Sequence, residues 1–139
     1  MFSVVVNGVV IDKNGKAIIA KRAAKDDHEP GKWTTPGGTM EADGEVYDAV
    51  GSTLRREILE EIGITIYDEV ILIANNTFIK SNGSKVLALV FLCRHKSGKP
   101  RPLDETDDVA RVDLESVNKY DFPPNVKEYV IKGLEYYVS

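Results

Sequence analysis

The run FSVVVNGVVID from Phe2 to Asp12 is rich in valine and predicts a strand. KNGK at 13–16 is a hairpin-turn signal, and AIIAKR after it predicts a second strand. AAKDDHEPGK is a polar loop, and WTT is a short extended piece that PGG at 36–38 breaks. The loop TMEADGE leads to a helical pattern from about Val46 to Ile62, where Gly63 supplies a C′ stop. ITIYDEVILIANNTFIK is a long extended region, SNGS at 81–84 is a second hairpin turn, and KVLALVFLCRH is the partner strand. A polar loop, KSGKPRPLDETDD, precedes a short strand, VARVDL. YDFPPN is a turn, and VKEYVIKGLEYYV is an amphipathic helix. Strand hairpins with two helices predict an α/β (α+β) fold, a mixed β-sheet flanked by helices, in one domain over 1–139.

The first helix divides into two faces. At about 100° per residue, Leu54, Ile58 and Ile62 form an apolar stripe with Leu59 at its edge. Glu57, Glu60 and Glu61 fan over an adjacent face, and Arg56 lies one turn before Glu60. Like charges at these spacings repel, and the end of the helix macrodipole disfavours anions there. Such a cluster is either a solvated acidic face or a place for a cation. Hard cations such as Mg²⁺ take oxygen ligands from carboxylates, waters and phosphates. The paired glycines just upstream, Gly37 and Gly38, allow backbone carbonyls to approach a ligand closely.

Composition narrows the classes. The chain has 139 residues, 42% hydrophobic and 29% charged, as expected of an ordinary soluble domain. No apolar run is long enough to span a bilayer, and the N-terminus lacks the features of a signal peptide, so a cytoplasmic location is expected. A formal net charge of −4, with no basic cluster interleaved with aromatics, disfavours long nucleic acid and anionic membrane as partners. A small phosphorylated ligand stays compatible when a metal offsets the repulsion. The single cysteine, Cys93, lies in an apolar run and reads as core packing.

GGTMEADGEVYDAVGSTLRREILEEIGI resembles the Nudix box, G-x5-E-x7-R-E-U-x-E-E-x-G-U, with U a bulky aliphatic residue. Arg56, Glu57, Ile58, Glu60, Glu61, Gly63 and Ile64 match the second half at every fixed place. The first half departs: if Gly38 opens the box, Gly44 stands where glutamate is expected and Glu45 follows it. Between Glu45 and Arg56 lie the ten residues 46–55 instead of seven, so the box is about four residues too long. An insertion there can bulge outward without moving the helix end. The lead-in AAKDDHEPGKWTTPGG and the tail DETDDVARVDLESVNKYDFPPN resemble the MutT branch of the family.

That resemblance implies an α/β/α sandwich around a mixed sheet and Mg²⁺- or Mn²⁺-dependent hydrolysis of a nucleoside diphosphate linked to another group. The MutT branch implies a nucleoside triphosphate cleaved to monophosphate and pyrophosphate. An ADP-sugar or dinucleoside polyphosphate is the alternative substrate, and a non-catalytic nucleotide-binding module the alternative class. Carried over by position, Glu57, Glu60, Glu61 and the Gly38 carbonyl would hold metal, and Arg56 would orient a box glutamate. The general base is Glu57 or Glu105, with Asp104, Asp107 and Asp108 competing with Glu105. Asn125, after the FPP turn, either helps read a base or caps the last helix. Trp33 either stacks on a base or packs in the core. Arg22 either meets phosphate or forms a surface ion pair, and His28 either touches phosphate or has no role. A monomer or homodimer is expected.

Overall fold

The structure, a computed structural model, describes residues 1–24, 30–41 and 44–138. The chain runs β1 (Phe2–Ile11), β2 (Ala17–Arg22), β3 (Trp33–Thr34), β4 (Gly37–Thr39), α1 (Ala49–Ile62), β5 (Thr65–Ile66), β6 (Ile71–Ile79), β7 (Lys85–Ser97), β8 (Thr106–Val112) and α2 (Val126–Val138). A short 3₁₀ turn, Val117–Lys119, precedes α2. The strands form one mixed sheet. β1 and β7 are its long central pair and run parallel, with Phe2 opposite Lys85 and Ile11 opposite Arg94. The other pairings are antiparallel: β2 and β4 both lie against β1, β6 and β5 against β7, and β8 and β3 against β2.

Strand alternation sends side chains to two cores, one on each face of the sheet. Val6, Val10, Ile18, Ala20 and Cys93 pack with Leu54, Ile58 and Ile62 of α1. Val9, Ile11, Ala17, Ile19 and Val90 pack with Val130 and Leu134 of α2. Each helix thus covers one face, and the layers are α/β/α as expected. Valine and isoleucine dominate because a strand buried on both faces needs apolar residues throughout. Among the described residues, no helix is long and apolar enough to cross a membrane.

Three expected boundaries differ. Helix α1 begins at Ala49, not Val46. Asp48 stops it with a left-handed backbone, φ 52°, and a carboxylate that accepts from Gly51 N–H. Val46 and Tyr47 are exposed, so no core draws them into the helix. The segment Gly37–Thr39 does not merely break a strand; it pairs with Val5, Val6 and Asn7 of β1. Finally, the acidic loop is shorter than expected, because Thr106, Asp107 and Asp108 already belong to β8.

Candidate active site

A cleft of about 820 Å³ opens on the α2 side of the sheet, beyond the start of that helix. Its floor comes from Val5 and Asn7 of β1, Ala88 of β7 and Asn76 of β6. Phe78, Pro123, Pro124 and Asn125 add to the walls. Glu57 and Glu61 reach it from α1 on the opposite face, past the edge made by β4.

The two glycines of β4 make that approach possible. A Cβ on Gly37 would stand 2.0 Å from the Val6 carbonyl oxygen, so no larger residue fits that rung. A Cβ on Gly38 would stand 2.6 Å from the Glu57 carboxyl carbon. The Glu57 side chain therefore lies directly on the Gly38 backbone. Gly37 N–H donates to Glu61 Oε1 at 3.0 Å. The end of α1 is fixed independently: Gly63, φ 72°, donates its N–H to the Leu59 carbonyl, and Arg101 donates to the Gly63 carbonyl at 3.5 Å.

The lengthened box leaves this arrangement intact. The described residues between β4 and α1 that carry the excess, Gly44 to Asp48, are exposed, and the helix end still meets the glycine turn. Glu45, in that exposed loop, lies outside the cleft lining.

Arg56 donates to Glu57 at 3.3 Å and stands 4.0 Å from Glu60, as its spacing suggested. Glu60 is half exposed and does not line the cleft. Burial pushes the Glu61 carboxyl up to about 8, against the pull of the Gly37 N–H bond. The neighbouring Glu57 and Glu60 charges also push it up, and the Arg22 charge pulls it down. Burial above all, with the neighbouring carboxylates adding to it, keeps this carboxyl protonated up to about neutral pH. Among the described residues, no three His, Cys, Asp or Glu side chains already converge as a closed metal cage. The donor chemistry nonetheless fits a hard divalent cation: carboxylates crowded on one helix turn, one of them lying on a side-chain-free backbone.

The acidic loop resolves among its four candidates. Of these four, Glu105 alone contributes to the cleft lining. Its backbone takes φ 51°, and its carbonyl accepts from Ala23 N–H at the end of β2. Asp107 accepts from Ala24 N–H and Asp108 from Val109 N–H, so both carboxylates are tied to backbone. Arg22 lies opposite Thr106, beyond the register shift at which β8 carries the extra residue Asp107, and also lines the cleft.

Trp33, one of the candidate substrate contacts, is not among the residues that line the cleft. It packs edge-on to Tyr120, with ring centroids 5.0 Å apart, beside the α2-side core. Asn125 does line the cleft, at φ 76°. Its carbonyl accepts from Tyr129 N–H, so it holds the cap position of α2, yet its side chain has no hydrogen-bond partner among the described residues. His28 lies outside the described residues. Sequence reasoning missed Asn7, Thr35 and Asn76 in the cleft lining. For Asn7 and Asn76 the available signal was polar residues within strands that carry apolar ones, whereas Thr35 lies between strands and carried none.

The family model described as "NUDIX domain" matches residues 1–132. The chain is similar in structure to the MutT protein from Methanosarcina mazei Go1, with a TM-score of 0.78 and 18% identity over 99% of this chain and 96% of that one. It is similar to the MutT NUDIX hydrolase from Burkholderia pseudomallei, with a TM-score of 0.71 and 25% identity over 97% of each chain. It is also similar to the NUDIX domain of Shewanella oneidensis NrtR complexed with ADP ribose, with a TM-score of 0.77 and 13% identity over 100% of this chain and 90% of that one. No curated protein matches the sequence significantly.

Proposed function

Because the chain belongs to the NUDIX domain family, we propose that it is a single-domain pyrophosphohydrolase. Its substrate is a nucleoside triphosphate, cleaved to monophosphate and pyrophosphate, and it works with Mg²⁺ or Mn²⁺. The observation that carries this reading is the contact of Glu57 and Glu61 with the Gly37–Gly38 backbone at the cleft edge. It supports the box residues acting together despite the lengthened loop.

Glu57, Glu60, Glu61 and the Gly38 carbonyl would hold the cation. A bound divalent ion offsets pyrophosphate charge and lowers the pKa of a water nucleophile. Arg56 keeps Glu57 oriented by a charge-assisted bond, and its charge also faces Glu60 at 4.0 Å. Arg22 supplies positive charge at the cleft beside Glu61 and meets a substrate phosphate. Glu105 takes the proton of the attacking water. It has no ion-pair partner among the described residues, whereas Glu57 is engaged by Arg56.

A panel of nucleoside triphosphates with Mg²⁺, read by pyrophosphate release, tests the reading. Turnover that disappears in the double variant Glu60→Gln, Glu61→Gln is expected. Absence of turnover with every triphosphate sinks it. ADP-ribose belongs in the same panel, because the similar NrtR domain was solved with that ligand. Exclusive turnover of ADP-ribose would move the substrate to the ADP-sugar class.

A further inference from the structure

Strand β6 pairs with β7 along one edge and, among the described residues, with no strand along the other. An edge strand presents unpaired N–H and C=O groups, and native proteins guard such edges with charges, prolines or bulges. β6 has the sequence ILIANNTFI, nine residues with neither a charge nor a proline. Its one irregularity is a register shift between Leu72 and Ala74, and residues 74–79 keep regular register with β7. Leu72 is 52% exposed and Ile79 69% exposed, although both are large aliphatic side chains. Ile79, Lys85 and Phe2 occupy one cross-strand row over β6, β7 and β1, and Phe2 is also exposed. Apolar surface therefore continues from the open edge onto the adjoining face of the sheet.

The residues that flank β6 indicate what covers it. Asp68 and Glu69 stand exposed just before the strand, and Lys80 follows it directly. Among the described residues, neither Glu69 nor Lys80 forms an ion pair. The edge is thus acidic at its start, uncharged along its length and basic at its end. Such a pattern is complementary to a second copy of itself, but only when the copy runs antiparallel. A twofold axis near the middle of the strand brings Glu69 of each copy towards Lys80 of the other. It also carries the exposed Ile71 and Leu72 of one copy to the Ile79 end of its partner. A parallel arrangement sets acid on acid and base on base.

We propose that two copies of this chain pair antiparallel through β6 and form a twofold homodimer with one continuous sheet. An isologous contact of this kind is closed, so assembly stops at two copies. β6 also supplies Asn76 and Phe78 to the cleft, so the partner strand lies beside the cleft floor of each copy. The pairing does not depend on the reaction assigned to that cleft.

Analytical ultracentrifugation of the full chain from about 1 to 100 µM tests this. The parent is expected to reach twice the mass of the 15.4 kDa chain as concentration rises. Asn75 and Thr77 are exposed near the middle of β6, and neither lines the cleft. Asn75→Lys or Thr77→Lys brings like charges together across the axis and is expected to weaken association at least about tenfold. At the lowest concentration each should melt within a few degrees of the parent, as a surface change does. Should one of them fail to fold, the other and the following exchange carry the test. Glu69→Lys and Lys80→Glu are each expected to weaken the dimer several-fold, and the double variant to restore it to within about twofold. In a parallel pairing these exchanges would leave association unchanged. A parent that stays monomeric, a dimer indifferent to lysine at both 75 and 77, a double exchange that fails to restore association, or assembly beyond two copies overturns the proposal.

Discussion

Glu61 binds a proton in the folded chain at pH values where an ordinary carboxyl has lost it. Its pKa of about 8 stands above the usual 4.5 that the unfolded chain keeps. Its contribution to stability is therefore full below about pH 4.5 and is lost as pH rises through about 8. Melting in a chelator is expected to show a falling Tm between those limits. Glu61→Gln should flatten the slope and raise Tm at the alkaline end by roughly 3–6 °C, corresponding to about 1–2 kcal/mol. An unchanged slope in the variant would assign the pH response elsewhere. The two glycines of β4 separate function from folding. Gly38→Ala presses on the flexible end of Glu57, so hydrolysis should fall at least about tenfold while Tm stays within a few degrees. Gly37→Ala presses on the Val6 carbonyl, where nothing can yield, and should give a poorly folded protein by circular dichroism. Residue identity was legible in advance for Glu57, Glu61 and Arg56, because their spacing on one helix is local. Thr35 and Asn76 were not, because their place in the cleft lining depends on what folds around them.

Helix α1 holds the carboxylates through its apolar stripe. Leu54, Ile58 and Ile62 are fully buried, whereas Leu59 is half exposed, as the helical spacing predicted. Ile58→Ala is expected to cost about 2–5 kcal/mol in denaturant unfolding. Gly63→Ala meets both a left-handed backbone and the Arg101 guanidinium at 2.8 Å, and should cost about 1 kcal/mol or more. A loss under half that value would mean that the helix end is not held there. The hairpin turns, the glycine stop and both helices could be read from the chain because each has a short-range signature. β4 could not: two glycines have poor strand propensity, and only pairing with β1 makes them a strand. The start of α1 was misjudged because Val46 and Tyr47 are apolar but meet no core. The long extended region 64–80 divides into β5 and β6, since the ladder to β7 is interrupted over residues 67–70, where Tyr67 N–H still donates to the Arg94 carbonyl.

Across the molecule, the crowded carboxylates predict that a divalent cation, if the proposed function holds, stabilises the fold as well. Millimolar Mg²⁺ is expected to raise the Tm of the parent by several degrees, since a ligand at 100 times its Kd contributes about 2.7 kcal/mol. The double variant Glu60→Gln, Glu61→Gln should show little of that shift, and an equal shift in both proteins would remove the helix from the metal site. The layered architecture was legible from the order of elements, but the joining of Glu105, Arg22 and α1 at one cleft was not, because β8 brings them together only on pairing with β2. The same long-range pairing governs how the chain is made. The central strand β1 is complete by Ile11, yet its parallel partner begins at Lys85. During synthesis, a valine-rich strand has only β2 and β4 along one edge, and its other edge waits for a neighbour more than seventy residues away. Contacts of such separation slow folding, and an uncovered β-prone strand is a seed for aggregation. The nascent chain therefore carries an aggregation hazard in β1 until β7 has left the ribosome.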